Sequence, residues 1–189
     1  ANFSDFLISH VAAKVAQKTE QTIWSGVNAT AGEFDGFVTL MTADADVNDV
    51  VGTTVTAANV IEEMGKVADA IPNALYGKED LTIYVPQNVA RAYVRALGGF
   101  GAAGLGAAGT DAKGTQWFGG EPLFFDGIRV SMVSGLASNK MVAAQSSNLY
   151  FGTGLLSDHN EVKLLDMGDL DGSQNVRVIM RYTAGVQYG

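Results

Sequence analysis

The sequence predicts an α+β fold, with helices gathered in its first half and strands in its second. Three patterns carry this. Apolar residues recur at helical spacing from Phe3 to Ile23 and again from Val60 to Leu75. A short β-branched and aromatic run, Leu81-Thr-Ile-Tyr-Val85, stands between two helical stretches. From Trp117 onward, short alternating runs are separated by turn signals, of which Asp126-Gly127 is the strongest. Helices first and strands later is the order expected of α+β chains rather than of repeated βαβ units.

At 189 residues the chain can bury one good core, or two small lobes sharing one. Its 47% apolar and 17% charged residues place it among globular rather than disordered chains. No apolar run reaches the roughly 18–20 residues needed to span a membrane. Cysteine is absent, which excludes disulfides, thiol nucleophiles and cysteine zinc sites. A net charge of −8 argues against a domain that grips nucleic acid, because phosphate binding needs a basic patch. The chain begins at Ala1 and enters a helical pattern almost at once, so a longer protein is expected upstream.

The first helix is expected from about Ser4 to Trp24, with Phe3, Phe6, Leu7, His10, Val11, Val15, Thr22 and Ile23 on one face. At 1.5 Å per residue it is about 30 Å long, enough to brace a domain. His10 is expected as a packed, hydrogen-bonded imidazole on that face. Gly26, Gly32 and Gly36 punctuate the connection that follows, and Val38-Thr-Leu40 reads as a short strand. Asp44, Asp46, Asn48 and Asp49 imitate a calcium loop, but the sixth position is Asp49 rather than glycine and the twelfth is Val55 rather than glutamate. The run is expected to be a solvated acidic turn.

The central unit, Thr56 to Leu97, is read as helix, strand, helix. Thr56 is the expected N-cap, Pro72 breaks the first helix near Ile71–Asn73, and Gly77 closes it. Pro86 ends the strand. The second helix puts Val89, Ala92, Tyr93 and Leu97 on one side and Arg91 and Arg95 on the other.

Residues 98–114 are dominated by glycine and alanine, with Phe100 and Leu105 the only large apolar side chains. Gly99, Gly101 and Gly104 match a dinucleotide fingerprint, as do Gly104, Gly106 and Gly109. That mechanism needs a strand before the glycines and a helix after them. Here a helix precedes the tract, so a long loop is expected instead. Among the strands, Leu123–Phe125 and Ile128–Met132 flank the Asp126-Gly127 turn, and Lys140–Ala144 and Leu149–Phe151 flank Ser146–Asn148. Val162–Leu165 is expected to pair with Val176–Tyr182, where Arg177 and Arg181 alternate with apolar residues.

No catalytic constellation is found. There is no G-x-S-x-G elbow, H-E-x-x-H or phosphate-binding loop, and Ser157-Asp158-His159 are neighbours in a loop rather than a relay. An enzyme is not expected, and neither is a cofactor or metal.

The order of elements resembles one family. A long helix ends in Trp24-Ser-Gly26 and is followed by a glycine-punctuated link to Gly36-Phe37. A helix, a proline-closed strand and a second helix come next. A glycine-rich loop then leads to Trp117-Phe-Gly-Gly-Glu-Pro-Leu123, Met141-Val-Ala-Ala, Leu149-Tyr-Phe-Gly-Thr-Gly and the strand Val176-Arg-Val-Ile-Met-Arg-Tyr182. This arrangement resembles the major capsid proteins of tailed bacteriophages, of the Hong Kong-97 type. The resemblance implies a peripheral lobe, with a long spine helix and β strands, and an axial lobe of helices around a small mixed sheet. It assigns residues 1–40 to the spine helix and the first part of the peripheral domain. Residues 41–155 form the axial domain with its glycine-rich loop 98–114, and residues 156–189 return to the peripheral domain. It implies a structural subunit that self-associates into hexamers and pentamers of an icosahedral shell. Such a shell encloses DNA without binding it specifically, touches no membrane, sits in the virion after assembly in the host bacterial cytoplasm, and admits other capsid proteins as partners. Phe100, Leu105, Trp117, Arg177 and Arg181 are the candidate subunit-interface residues. The family's N-terminal arm and extended loop have no counterpart here, which implies a fragment of a longer capsid protein, and no crosslinking chemistry transfers. Three other readings belong beside this one: an encapsulin-like compartment shell of the same fold, a nucleotide-dependent enzyme using the glycine tract, and another phage structural part such as a tail or decoration protein.

Overall fold

The computed structural model describes residues 3–97, 123–154, 162–168, 172–180 and 183–189. They form a mixed α+β structure with four helices, a four-stranded sheet and two two-stranded ribbons. Helix α1 (Phe3–Ser25) is followed by α2 (Phe37–Ala43) and α3 (Val60–Asp69). Strand β1 (Leu81–Val85) leads directly into α4 (Gln87–Leu97). Strands β2 (Leu123–Phe125), β3 (Ile128–Met132), β4 (Val142–Gln145) and β5 (Leu149–Thr153) come next. The chain closes with β6 (Val162–Asp166), β7 (Val176–Met180) and β8 (Ala184–Tyr188).

The four-stranded sheet has the order β2-β3-β1-β4. Strand β1 runs parallel to β3, with Ile83 opposite Val130, and antiparallel to β4, with Ile83 opposite Ala143. A parallel neighbour requires a crossover connection, and α4 lies within it. The β2–β3 hairpin turns at Asp126-Gly127 with φ of 48° and 78°. Two successive left-handed residues make the tight turn whose twist suits a hairpin, as the sequence predicts.

Strand alternation sends β1 into two cores. Leu81, Ile83 and Val85 face α3 and α4, where Val60, Met64, Ala68, Val89, Ala92 and Tyr93 close over them. Val60, Met64, Ile83, Val85 and Val89 are completely buried, and each contributes about 1.5–3 kcal/mol by leaving water. Tyr84, on the other face of β1, joins Trp24, Phe37 and Leu136 in a second cluster bordered by Val142, Leu149, Val186 and Tyr188. The sheet is thus covered on one face by α3 and α4, and partly on the other by the end of α1, by α2 and by the β5–β8 ribbon.

Several sequence expectations are corrected. Val38-Thr-Leu40 is helical rather than a strand. Gly36 starts the turn by accepting from the Leu40 amide at 3.0 Å, and Phe37 is drawn onto Trp24 with ring centres 5.4 Å apart. Tertiary contact overrides a β-branched run. Thr56 is not the cap of α3. Asn59 occupies that position, and its Oδ1 accepts from the Thr56 amide at 2.7 Å, closing a turn just ahead of the helix. Helix α3 stops at Asp69, short of Pro72, and the chain passes through turns to Gly77, whose φ of +88° is left-handed as a closing glycine requires. Leu97 is exposed at the end of α4 rather than packed on its apolar side. Strand β8 has no counterpart in the sequence reading.

Candidate functional site

The described surface is best read as a set of uncovered faces held by a rigid junction. That junction is the C-terminal end of α1. The Trp24 ring lies 4.9 Å from Tyr84 and 5.4 Å from Phe37, so one side chain joins the long helix, the sheet and α2. Three glycines let the chain come this close. A Cβ at Gly26 would meet the Phe34 carbonyl at 2.4 Å, and one at Gly36 the Thr22 carbonyl at 2.5 Å. At Gly135 it would meet the Glu20 carbonyl at 2.1 Å. Ser25 Oγ donates to the Gly135 carbonyl at 2.9 Å, and Thr39 Oγ1 to that of Gly26 at 2.7 Å. Lys18 and Glu33 pair at the same end.

Away from that junction α1 has little cover. Phe6 is 63% exposed. His10 is exposed and stacks on Phe6 with centroids 6.1 Å apart, so it is not the packed imidazole that its face predicted. Periodicity shows which residues share a face but not whether anything lies against it. The β6–β7 ribbon is a second uncovered element. Leu164 faces Val178 across it and Asp166 faces Val176, with Leu164 39% and Val176 48% exposed. Among the described residues, neither hydrophobic cluster contains a residue of this ribbon. A lone two-stranded ribbon is marginal in water at best.

Of the candidate interface residues, Arg177 lies on β7 opposite Leu165 and is exposed. Phe100, Leu105, Trp117 and Arg181 lie outside the described residues, as do the glycine tract 98–114 and Ser157-Asp158-His159.

The acidic turn at Asp44–Asp49 is occupied by protein contacts. Asp44 Oδ1 accepts from the Asp46 amide at 3.0 Å, and Oδ2 from the Tyr188 hydroxyl at 2.7 Å. These two bonds, the Tyr188 one first, hold the Asp44 carboxyl below its usual value, while donation to Asp44 pushes the Tyr188 phenol up to about 12. Among the described residues no three metal-ligating side chains come together. No described helix is long and apolar enough to cross a membrane.

Two polar clasps escaped the sequence reading. Glu63 is buried, yet accepts from Lys66 Nζ at 2.8 Å, from the Thr53 amide at 3.1 Å and from Thr53 Oγ1 at 2.9 Å. Asn139, at φ +63°, receives the Asn88 amide group at 2.8 Å and the Val55 amide at 3.1 Å. Both fasten the segment preceding α3. A carboxylate in the first turn of a helix was the only visible signal of the first clasp, and it has an ordinary dipole explanation.

No protein-family model matches the chain, and no curated protein matches it either.

Proposed function

We propose that this chain is a structural subunit, a major capsid protein of the Hong Kong-97 type, which associates laterally into hexamers and pentamers of a shell enclosing DNA. The observation that carries the reading is the exposed apolar surface on elements that a lone chain does little to stabilise. These are the Phe6 half of α1 and the Leu164/Val176 ribbon. Apolar side chains left exposed on such elements suit burial against a second subunit. Support also comes from element order: a long helix seated by its last turn, a helix–strand–helix lobe, and late β ribbons match the family's sequence of parts. In this reading residues 1–40 and 156–189 belong to the peripheral domain and 41–155 to the axial domain. Arg177 is the interface candidate among the described residues, and Phe100, Leu105, Trp117 and Arg181 complete the set from sequence. The subunit works in the virion, without catalysis or cofactor.

Phe6→Glu and Leu164→Glu test it. Both positions are exposed, so the unfolding midpoint should hold within a few degrees while assembly, followed by sedimentation velocity, is lost. Assembly unchanged in both variants would contradict the reading.

A further inference from the structure

Strand β2 lies at one side of the four-stranded sheet, with β3 its only neighbour among the described strands. The two are joined by the two-residue turn Asp126-Gly127, so Phe125 and Ile128 form the hydrogen-bonded pair next to it. Pair types alternate along an antiparallel ladder. The amide and carbonyl of Phe124 therefore point away from β3, out of the sheet's edge. The Phe124 side chain is 54% exposed as well. An apolar edge with unpaired backbone groups is where a further strand adds.

Two tyrosines occupy that edge. The Tyr93 hydroxyl donates to the Phe124 carbonyl at 2.6 Å. The Tyr76 hydroxyl donates to the Asp126 carbonyl, two residues along the same rim, at 2.7 Å. They reach it from separate elements. Tyr93 stands on α4, buried, with its ring edge-on to Phe125 at 5.9 Å. Tyr76 is presented by the turn after α3, where its amide donates to the Pro72 carbonyl at 3.3 Å. A buried phenol needs a partner, which accounts for the Tyr93 bond. Tyr76 is 52% exposed, so water could serve its hydroxyl, yet it too is spent on the rim. Each phenolic oxygen stands at about the place where an incoming strand would put its amide nitrogen.

We infer that Tyr76 and Tyr93 together guard the β2 edge, preventing it from pairing with the β2 edge of a second copy. That pairing is the one the edge invites. Phe124 offers one outward N–H and one outward C=O, the set that two copies of an antiparallel edge exchange about a two-fold axis. With both rim carbonyls engaged from within the chain, a second strand must displace two hydrogen bonds before it gains any. The arrangement costs the fold little, because those carbonyls need partners in any case.

The test compares the chain with Tyr76→Ala/Tyr93→Phe, and with that double variant carrying Phe124→Pro. The pair of substitutions frees both carbonyls while leaving a ring in the core at position 93. Proline at 124 removes the outward amide, at an edge position that tolerates it. In sedimentation velocity at matched concentration, the double variant should show a species additional to those of the wild type. Hydrogen exchange across Leu123–Phe125 should slow with it, and Phe124→Pro should abolish the new species. No new species from a double variant with unchanged circular dichroism would overturn the inference, as would one that persists with Phe124→Pro. Should the double variant unfold, Tyr76→Ala alone, at its half-exposed position, decides by the same readouts.

Discussion

Tyr188 donates its phenolic hydrogen to Asp44 Oδ2 at 2.7 Å, joining residues 144 positions apart. The bond ties the last strand to the residue that caps α2, and β8 in turn pairs with β5 along its whole length. The chain terminus is thus fastened to the same cluster as Trp24.

This latch has two pH limits. The Tyr188 phenol lies at about 12 against an ordinary 10.0, so its contribution is complete below pH 10 and lost as pH rises through about 12. The Asp44 carboxyl is lowered from 3.8, so its contribution is complete above that value and lost as pH falls through the lowered one. An NMR titration of the tyrosine rings should show the Tyr188 phenol titrating late, with the partly buried Tyr84 and the buried Tyr93 also raised by desolvation. In Asp44→Asn the Tyr188 resonance should move back toward the ordinary value, and in Tyr188→Phe the β8 amides should exchange faster.

The Trp24 junction should be unforgiving. Trp24→Ala removes the ring packed against both Phe37 and Tyr84, and should cost about 3–5 kcal/mol in denaturant unfolding. Gly135→Ala drives a methyl group into the Glu20 carbonyl, so the α1 end or the loop must shift, at about 1–3 kcal/mol. Phe124→Ala, at an exposed position of the same lobe, should stay within about 0.5 kcal/mol.

The Glu63 clasp should appear as acid sensitivity. Its carboxyl is lowered from 4.5 first by Lys66, then by the Thr53 amide and hydroxyl. Its contribution is therefore complete above pH 4.5 and lost as pH falls through the lowered value. Glu63→Gln should be less stable than wild type at pH 7. Thermal unfolding as a function of pH should show that gap narrowing below 4.5.

Much of this fold was legible where local chemistry and tertiary demand agree. The Asp126-Gly127 hairpin, Leu81–Val85 closed by Pro86, and Arg91 and Arg95 opposite Tyr93 all stand as the residues indicate. The sequence misled where packing decides. Helix α2 forms because Phe37 meets Trp24, and β4 and β5, only a turn apart, go to different partners. His10 and Phe6 sit on a helical face with no described neighbour to bury them. Of the candidate interface residues only Arg177 lies among the described residues, and it is exposed. The Asn88–Asn139 and Glu63–Thr53 clasps depend on side chains that meet only once the lobe has closed, and no spacing announces them.

The direct measurement is electron microscopy of the complete gene product, expressed alone. The account predicts five- and six-membered rings or closed shells. A monodisperse monomer at high concentration would contradict it.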